Sequence, residues 1–525
     1  MAKRKRGDTE AAANKTTSSK KHATAADGNG DSKTTSGTPK VSNLSETPLA
    51  ATPAARGNHP VSIQIVTGSY ERVLHGLTAT ISAETLSSAD GDAPDGTTSF
   101  SDTFLFAAHS AAVRCLALSP HAEASKRILA TGSSDERINL YTLSTRPPKA
   151  STKPDLPTLS GTKVLENKGN KELGSLLHHS RGVTKLQFPT KGKLFSSAED
   201  NTVAISRTRD WTMLSSIKAP IPKPFGRPSG DTAAPGEVPA GVNDFGIHPS
   251  MKIMVTVGKG ERSMRLWDLV KGKKAGVLQF ERELLQQVGE GKYSSGEGRK
   301  IVWSEDGEDF VIGFERGAAL FGMDCKPKAI ITPSPRSKIH QMRFIPTESA
   351  NILAISTEDG RIIFYDINNI SEAEEAQTTG EAKTKSKPSA SGSIPQCPPI
   401  AQMGGSAAGL PGRVKDFEIL SIPGEPAAPM IFVAGSSDGA IRLWKLSVSD
   451  LTASQSETDG TEEAAVESAR QVGSLVGVHE TGERITCLTA FVMDSPDSTD
   501  EDDEDDDDFA GFSDAGDGAS DSDSE

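Results

Sequence analysis

The sequence predicts an all-β protein: a closed seven-bladed β-propeller between two disordered tails. Three observations predict it. One phrase, an acid followed six residues later by the end of an alternating strand, occurs six times. Each copy follows further apolar runs. The two ends of the folded region hold fragments that together make a seventh unit.

The phrase runs from Asp135 to Tyr141, Asp200 to Ser206, Glu261 to Trp267, Glu315 to Phe321, Asp359 to Tyr365 and Asp438 to Trp444. The positions three and one before each end are apolar in all six copies, from Ile138 and Leu140 to Ile441 and Leu443. Period-two alternation behind a turn acid describes a strand with one buried face. Upstream runs such as ILATGSS (128–134) and VRCLALSP (113–120) make each unit strand, strand, turn, strand. Such a unit cannot bury its apolar faces alone, and radial stacking buries them.

In chain order, residues 1–60 form a basic tail with ten Lys or Arg against five Asp or Glu and few large apolar residues. It cannot bury enough surface to order itself. Lys3, Arg4, Lys5 and Arg6, with Lys20 and Lys21, have the composition of a nuclear-localisation signal or of an arm that touches nucleic acid. No apolar region follows them, so a secretory signal is not expected. Residues 61–82 hold two strand-like runs with no partner before them, and residues 484–492 one run with nothing after it. Pairing the two closes the ring and removes its open edges. The propeller therefore spans 61–493. Residues 83–104 read as a Ser, Asp and Gly-rich connection. Low-complexity loops are expected at 144–172, 219–241, 368–411 and 447–472. ERELLQQV (281–288) reads as a short helix with Leu284, Leu285 and Val288 on one side.

Residues 494–525 carry sixteen acids and no Lys or Arg. The whole chain has net charge −14, so subtracting the two tails leaves −3 for 61–493. The acidic segment is self-repelling and suits capture of basic partners. Ser498, Thr499, Ser520 and Ser522 each have an acid three residues on, the pattern of acidophilic phosphorylation sites.

Chemistry is absent from the motifs. The four cysteines, Cys115, Cys325, Cys397 and Cys487, form no CxxC pair, which points to a reduced protein without structural zinc. GEGKYSSG (289–296) lacks phosphate-loop spacing, and neither GxSxG nor HExxH occurs. No enzyme activity, cofactor or metal is expected, and no apolar run is long enough to span a membrane.

The repeats resemble the WD-repeat family. Trp267-Asp268 carries its signature, and Tyr365-Asp366 and Trp444-Lys445 are close variants. That resemblance implies a hydrogen-bonded set of His, turn acid, strand hydroxyl and Trp within a blade. His109 with Asp135, and His179 with Asp200, fit its places. The other units lack a clear His, so their networks are expected to be partial. The phrases IVTGSYERVLHG (65–76), KLFSSAEDNTVAI (193–205), VNDFGIHPSMKIMVTVGKGERSMRLWDLVKGKKAGV (242–277) and IVWSEDGEDFVIG (301–313) resemble one branch. It is the p21-activated-kinase-interacting family, with its maintenance-of-killer fungal members. Ser206 departs from that pattern, which has an aromatic there, although Trp211 stands nearby.

The resemblance implies a nuclear and nucleolar scaffold in assembly of the large ribosomal subunit, including pre-rRNA maturation. Its expected partners are the pre-ribosomal particle and other assembly factors, with basic ribosomal proteins reached through the acidic tail. RNA contact stays indirect or unassigned. The alternative it implies is an adaptor or inhibitor of p21-activated kinase. A histone-binding or ubiquitin-ligase propeller is a third reading.

Overall fold

In the computed structural model the described residues are 60–87, 98–121, 125–148, 165–222, 240–291, 294–347, 351–370, 394–408, 410, 412–422, 428–452 and 469–494. They form seven sheets, one per blade, antiparallel throughout except that the short strand Arg470–Gln471 adds in parallel to Pro399–Gly404 in blade 6. Blade 1 orders Ile485–Val492, Val61–Ser69, Val73–Ile81 and Thr98–Ala107 from the axis outward. Blades 2 to 7 follow in chain order, with inner strands Val113–Leu118, Val183–Thr190, Val242–Ile247, Lys300–Trp303, Ile339–Phe344 and Val414–Leu420.

The chain's C-terminal strand is the inner strand of blade 1. Its register with Val61–Ser69 runs from Ile63 opposite Val492 to Gly68 opposite Cys487. One buried cluster seals the seam with blade 7, joining Ile63, Ile65 and Leu77 to Ile431, Val433, Ile441, Leu443 and Leu488. The expected closure therefore forms, and the ring has seven blades.

Each blade has a fourth, outer strand that the repeat phrase did not contain. Three of these strands, Lys171–Leu176, Met213–Lys218 and Lys273–Gln279, are largely exposed. An exposed edge strand needs no apolar alternation, so its sequence carries little signal. Several expected connections are corrected by this. Residues 83–104 contain the helix Ala83–Ser87 and the start of strand Thr98–Ala107. The loop 368–411 contains the outer strand Pro399–Gly404, and 447–472 contains the helix Val448–Thr452 and the short strand Arg470–Gln471. The loop 144–172 gives its last two residues to Lys171–Leu176.

The helix expected near 281–288 forms at Arg282–Gln287. Leu284, Leu285 and Val288 pack with Phe280 and Phe314 against blades 4 and 5. Phe280 meets Phe314 edge-on at 5.2 Å, a favoured aromatic geometry.

Candidate functional site

The turn acids and the strands they precede set the rim of the ring. Asp135, Asp200 and Asp438 each accept a backbone amide two residues on, from Arg137, Thr202 and Ala440, at 3.1, 2.9 and 3.1 Å. This local turn is what a short carboxylate is built to make. The residue after each of the four turn aspartates, these three and Asp359, is left-handed: Glu136 (φ 72°), Asn201 (φ 62°), Gly360 (φ 85°) and Gly439 (φ 89°). At Gly360 an added Cβ would also meet Gly412 O at 2.5 Å, so glycine is required there.

Equal spacing in sequence hides two different turns. Leu129 faces Tyr141, Leu194 faces Ser206, Leu353 faces Tyr365 and Phe432 faces Trp444, each twelve positions apart. Met254 faces Trp267 across thirteen positions, and Phe310 faces Phe321 across eleven. The turns of blades 4 and 5 are thus one residue longer and one shorter. Their acids are glutamates. Glu261 turns to Arg265 at 2.7 Å and to Ser263 at 3.2 Å. Glu315 points outward to Arg299 at 3.5 Å and Lys338 at 3.4 Å. The Glu-for-Asp change was the visible signal of this difference.

Two blades hold the histidine network. His109 meets Asp135 at 3.1 Å and Thr131 Oγ1 at 2.8 Å. His179 meets Asp200 at 3.2 Å and Ser196 Oγ at 2.8 Å. Burial pushes His109 below its ordinary value despite the pull of Asp135. Burial works to raise Asp135, but the amides of Ser110 and Arg137 and the neighbouring His109 outweigh it and hold the carboxyl low. Asp200 is held low against burial by His179 and the Thr202 hydroxyl.

Where the histidine is missing, arginine takes the acid. Arg265 holds Glu261, Arg361 holds Asp359 at 2.8 Å, and Arg442 holds Asp438 at 3.0 Å. Arg442 also donates to Ser436 Oγ at 2.9 Å, and Thr357 donates to Asp359. The expected gaps in these blades are therefore filled by a residue of the third strand. Sequence reasoning overlooked it because Arg lies two or four positions after the acid, not upstream.

The strand-end residues are structural. Trp267 donates to Thr256 Oγ1 at 2.9 Å. Phe321 stacks on Phe310 with centroids 5.4 Å apart, and Phe106 lies edge-on to Tyr141 at 5.7 Å. Tyr365 and Trp444 are buried in neighbouring clusters. Ser206 is buried without a ring, and Trp211 packs on the cluster that contains its strand partner Leu194. Lys3, Arg4, Lys5, Arg6, Lys20 and Lys21 lie outside the described residues, as do Ser498, Thr499, Ser520 and Ser522.

The inner strands build the central channel, a space of about 610 Å³. Six of the seven carry a bulge near their start, at Arg114, Thr184, Asn243, His340, Lys415 and Thr486. A bulge re-aims the extra side chain. Thr184 uses it to reach Val242 O at 2.7 Å, Asn243 to reach Gly298 O at 2.9 Å, and Thr486 to reach Val113 O at 2.5 Å. Each is a clasp from one blade to the next.

One residue further on, a second ring runs Cys115, Lys185, Asp244, Lys300, Gln341, Asp416, Cys487. Asp244 takes Lys185 at 2.5 Å on one side and the Ile301 amide at 3.2 Å on the other. Asp416 takes Gln341 Nε2 at 2.9 Å and the Leu488 amide at 3.1 Å. Farther along, Arg343 pairs with Glu418 at 3.0 Å. Burial pushes Glu418 up to about 7 in spite of that pair. The repeated phrases Val242-Asn-Asp-Phe245 and Val414-Lys-Asp-Phe417 were the available signal for the two clasping acids. Among the described residues no group of three His, Cys, Asp or Glu could hold a metal ion.

The comparisons with known proteins fit this geometry. The profile of the WD domain, G-beta repeat, matches residues 100–142 and 170–205. Each match starts in or just before an outer strand and ends in the third strand of the next blade. These are the two repeats with the histidine network. The p21-activated protein kinase-interacting protein 1-like of Gallus gallus is 24% identical over 430 residues, 82% of this chain and 80% of that protein. Protein MAK11 of Saccharomyces cerevisiae is 25% identical over 448 residues, 81% of this chain and 82% of that protein. Shk1 kinase-binding protein 15 of Schizosaccharomyces pombe is 24% identical over 175 residues, 33% of this chain and 42% of that protein.

Proposed function

We propose, from the premise that this chain is a WD-repeat protein of the group formed by the p21-activated protein kinase-interacting proteins and MAK11, that it works in nucleolar assembly of the large ribosomal subunit. It acts there by binding, as a scaffold that supports pre-rRNA maturation. The observation that carries this reading is the similarity to MAK11 over most of both chains, combined with the charge layout. A rigid ring, clasped blade to blade, presents several surfaces at once. The chain enters and leaves through paired strands of blade 1, where Met493 N donates to Ser62 O at 2.8 Å. A segment of net charge +5 and one of −16 are thus tethered to one blade. The first suits nuclear import, and the second suits basic ribosomal proteins.

Depletion followed by sucrose-gradient profiling tests this. The expected result is a deficit of large subunits relative to small ones, with the protein sedimenting in pre-ribosomal fractions. An unchanged subunit ratio rules the reading out. Deleting residues 1–21 from a fluorescent fusion is expected to weaken nuclear accumulation.

The second reading is regulation of p21-activated kinase, favoured by the names of the relatives. Its test is direct binding of purified kinase and purified protein. Saturable binding with loss of kinase activity supports it.

A further inference from the structure

We propose that the channel mouth at blades 5 to 7 is a binding site for a dianionic phosphate group. Its cationic groups are Lys300 of blade 5 and Lys415 of blade 7, both of which line the channel, and His340, on the inner strand between them, meets Lys415. The proposal stands apart from the scaffold reading and holds whichever partner that reading acquires.

The charge balance of the channel is the first observation. Among its lining residues Arg114, Arg127, Lys185, Lys300, Arg343 and Lys415 are basic, against Glu305, Asp416 and Glu418, while Glu199 and Asp244, which are not lining residues, pair with Arg114 and Lys185. The chain as a whole has net charge −14. An excess of positive charge inside an acidic protein focuses its field on the cavity.

The second observation is how these cations are partnered. Lys185 has Asp244 and Arg343 has Glu418. Lys300 follows Asp244 in the ring, but Asp244 is already filled by Lys185 and the amides of Phe245 and Ile301. Lys300 has no ion-pair or hydrogen-bond partner among the described residues. Lys415 turns its ammonium to His340 Nε2 at 3.3 Å rather than to a carboxylate. That contact requires a neutral imidazole acting as acceptor. Burial and then Lys415, Lys338, Lys300 and Arg413 push His340 down to about 3, which keeps it neutral. The nearby acids are already paired, Glu315 with Lys338 at 3.4 Å and Glu358 with Arg413 at 3.2 Å.

Like charges gathered without counter-charge cost stability, and such a cost persists where function uses it. A phosphate dianion supplies what is missing. It accepts from both ammonium groups at once through separate oxygens. The cavity has the size of a small-ligand site, which favours a phosphomonoester or polyphosphate over a folded nucleic acid.

The test is calorimetric titration of the full chain at low salt with inorganic pyrophosphate and, in a separate arm, with a short phosphoserine peptide and its unphosphorylated twin. Saturable one-to-one binding of pyrophosphate alone assigns the site to a free polyphosphate. Preference for the phosphoserine peptide assigns it to a phosphoryl group carried by a partner. In either case Lys300→Gln and Lys415→Gln are each expected to weaken binding about tenfold, while Lys271→Gln on an exposed turn leaves it unchanged. Lys300→Gln is also expected to melt no lower than the parent, so lost binding cannot be blamed on unfolding. The proposal is overturned by an absence of saturable binding or by binding that survives both lysine substitutions. Response to single-stranded RNA alone, or only from a chain ending at Asp494, overturns it too.

Discussion

Asp416, in the inner strand of blade 7, accepts the backbone amide of Leu488, in the inner strand of blade 1, at 3.1 Å. The same carboxylate takes Gln341 of blade 6 at 2.9 Å and its own neighbour's amide, Phe417 N, at 3.0 Å. One buried acid therefore joins three blades at the place where the ring closes. Asp416→Ala leaves those donors without an acceptor in a water-poor wall. We expect a loss of about 3 kcal/mol in urea unfolding, because stranded buried donors cost more than the net worth of their bonds. Asp416→Asn, which keeps one acceptor oxygen, is expected to lose less.

The ring itself was legible in the sequence. The middle strands of each blade lie between neighbouring blades and are buried along most of their length, and that burial writes apolar residues into positions such as Ile138 and Leu140 or Ile441 and Leu443. The outer strands were not legible, because Lys273–Gln279 faces solvent on most positions and nothing constrains its pattern. The arginine that replaces the blade histidine was visible in Arg265, Arg361 and Arg442, yet its meaning depends on a pairing across a turn. The channel lysines were harder still. Lys300 and Lys415 stand next to Ile301 and Val414 in runs that read as ordinary strands, and only the ring places them on blades 5 and 7, either side of blade 6.

Closure makes a sharp prediction about the C-terminus. The strand Ile485–Val492 buries Ile485, Leu488 and Phe491, all at 3% exposure or less. At about 1.5–3 kcal/mol each, their burial rivals the whole net stability of a typical domain. Ending the chain after Glu483 also leaves Val61–Ser69 as an open edge, which invites pairing with other copies. Such a chain is expected to aggregate on gel filtration and to lose cooperative melting. A chain ending after Asp494 keeps the strand and is expected to melt like the full protein.

Two groups on the inner strands give opposite pH dependences. His340 is pushed below its ordinary value of 6.5 to about 3. The unfolded chain then binds the proton that the folded chain refuses, so this residue costs stability as pH falls below 6.5. Relative to the parent, His340→Gln is expected to gain about 1 kcal/mol at pH 5 after solvent screening. Glu418 is pushed up from 4.5 to about 7. Its contribution is complete below 4.5 and is lost as pH rises through 7. Glu418→Gln should flatten that part of the curve. Urea unfolding between pH 5 and 8 checks both, with the slope against pH, not the absolute level, as the readout.

Arg361 and Arg413 offer a contrast between two ion pairs on one rim. Arg413 meets Glu358 at 3.2 Å with the arginine side chain 52% exposed. Solvent and salt screen such a pair, so Arg413→Ala is expected to change stability by less than about 1 kcal/mol. Arg361 is only 9% exposed. Its guanidinium donates to Asp359 at 2.8 Å, Ser334 O at 2.7 Å, Pro335 O at 3.1 Å and Gln402 Oε1 at 3.2 Å. It thus ties the turn, the outer strand and the chain entering blade 6 into one unit. Arg361→Ala strands a carboxylate and three further acceptors with little water to replace the lost donor. A loss of about 3–5 kcal/mol is expected, large enough to lower the melting midpoint by several degrees. Arg361→Lys restores the charge but cannot reach four acceptors from one ammonium, so it should recover only part of the loss. Full recovery by lysine would show that charge alone, and not the fork geometry, holds this blade.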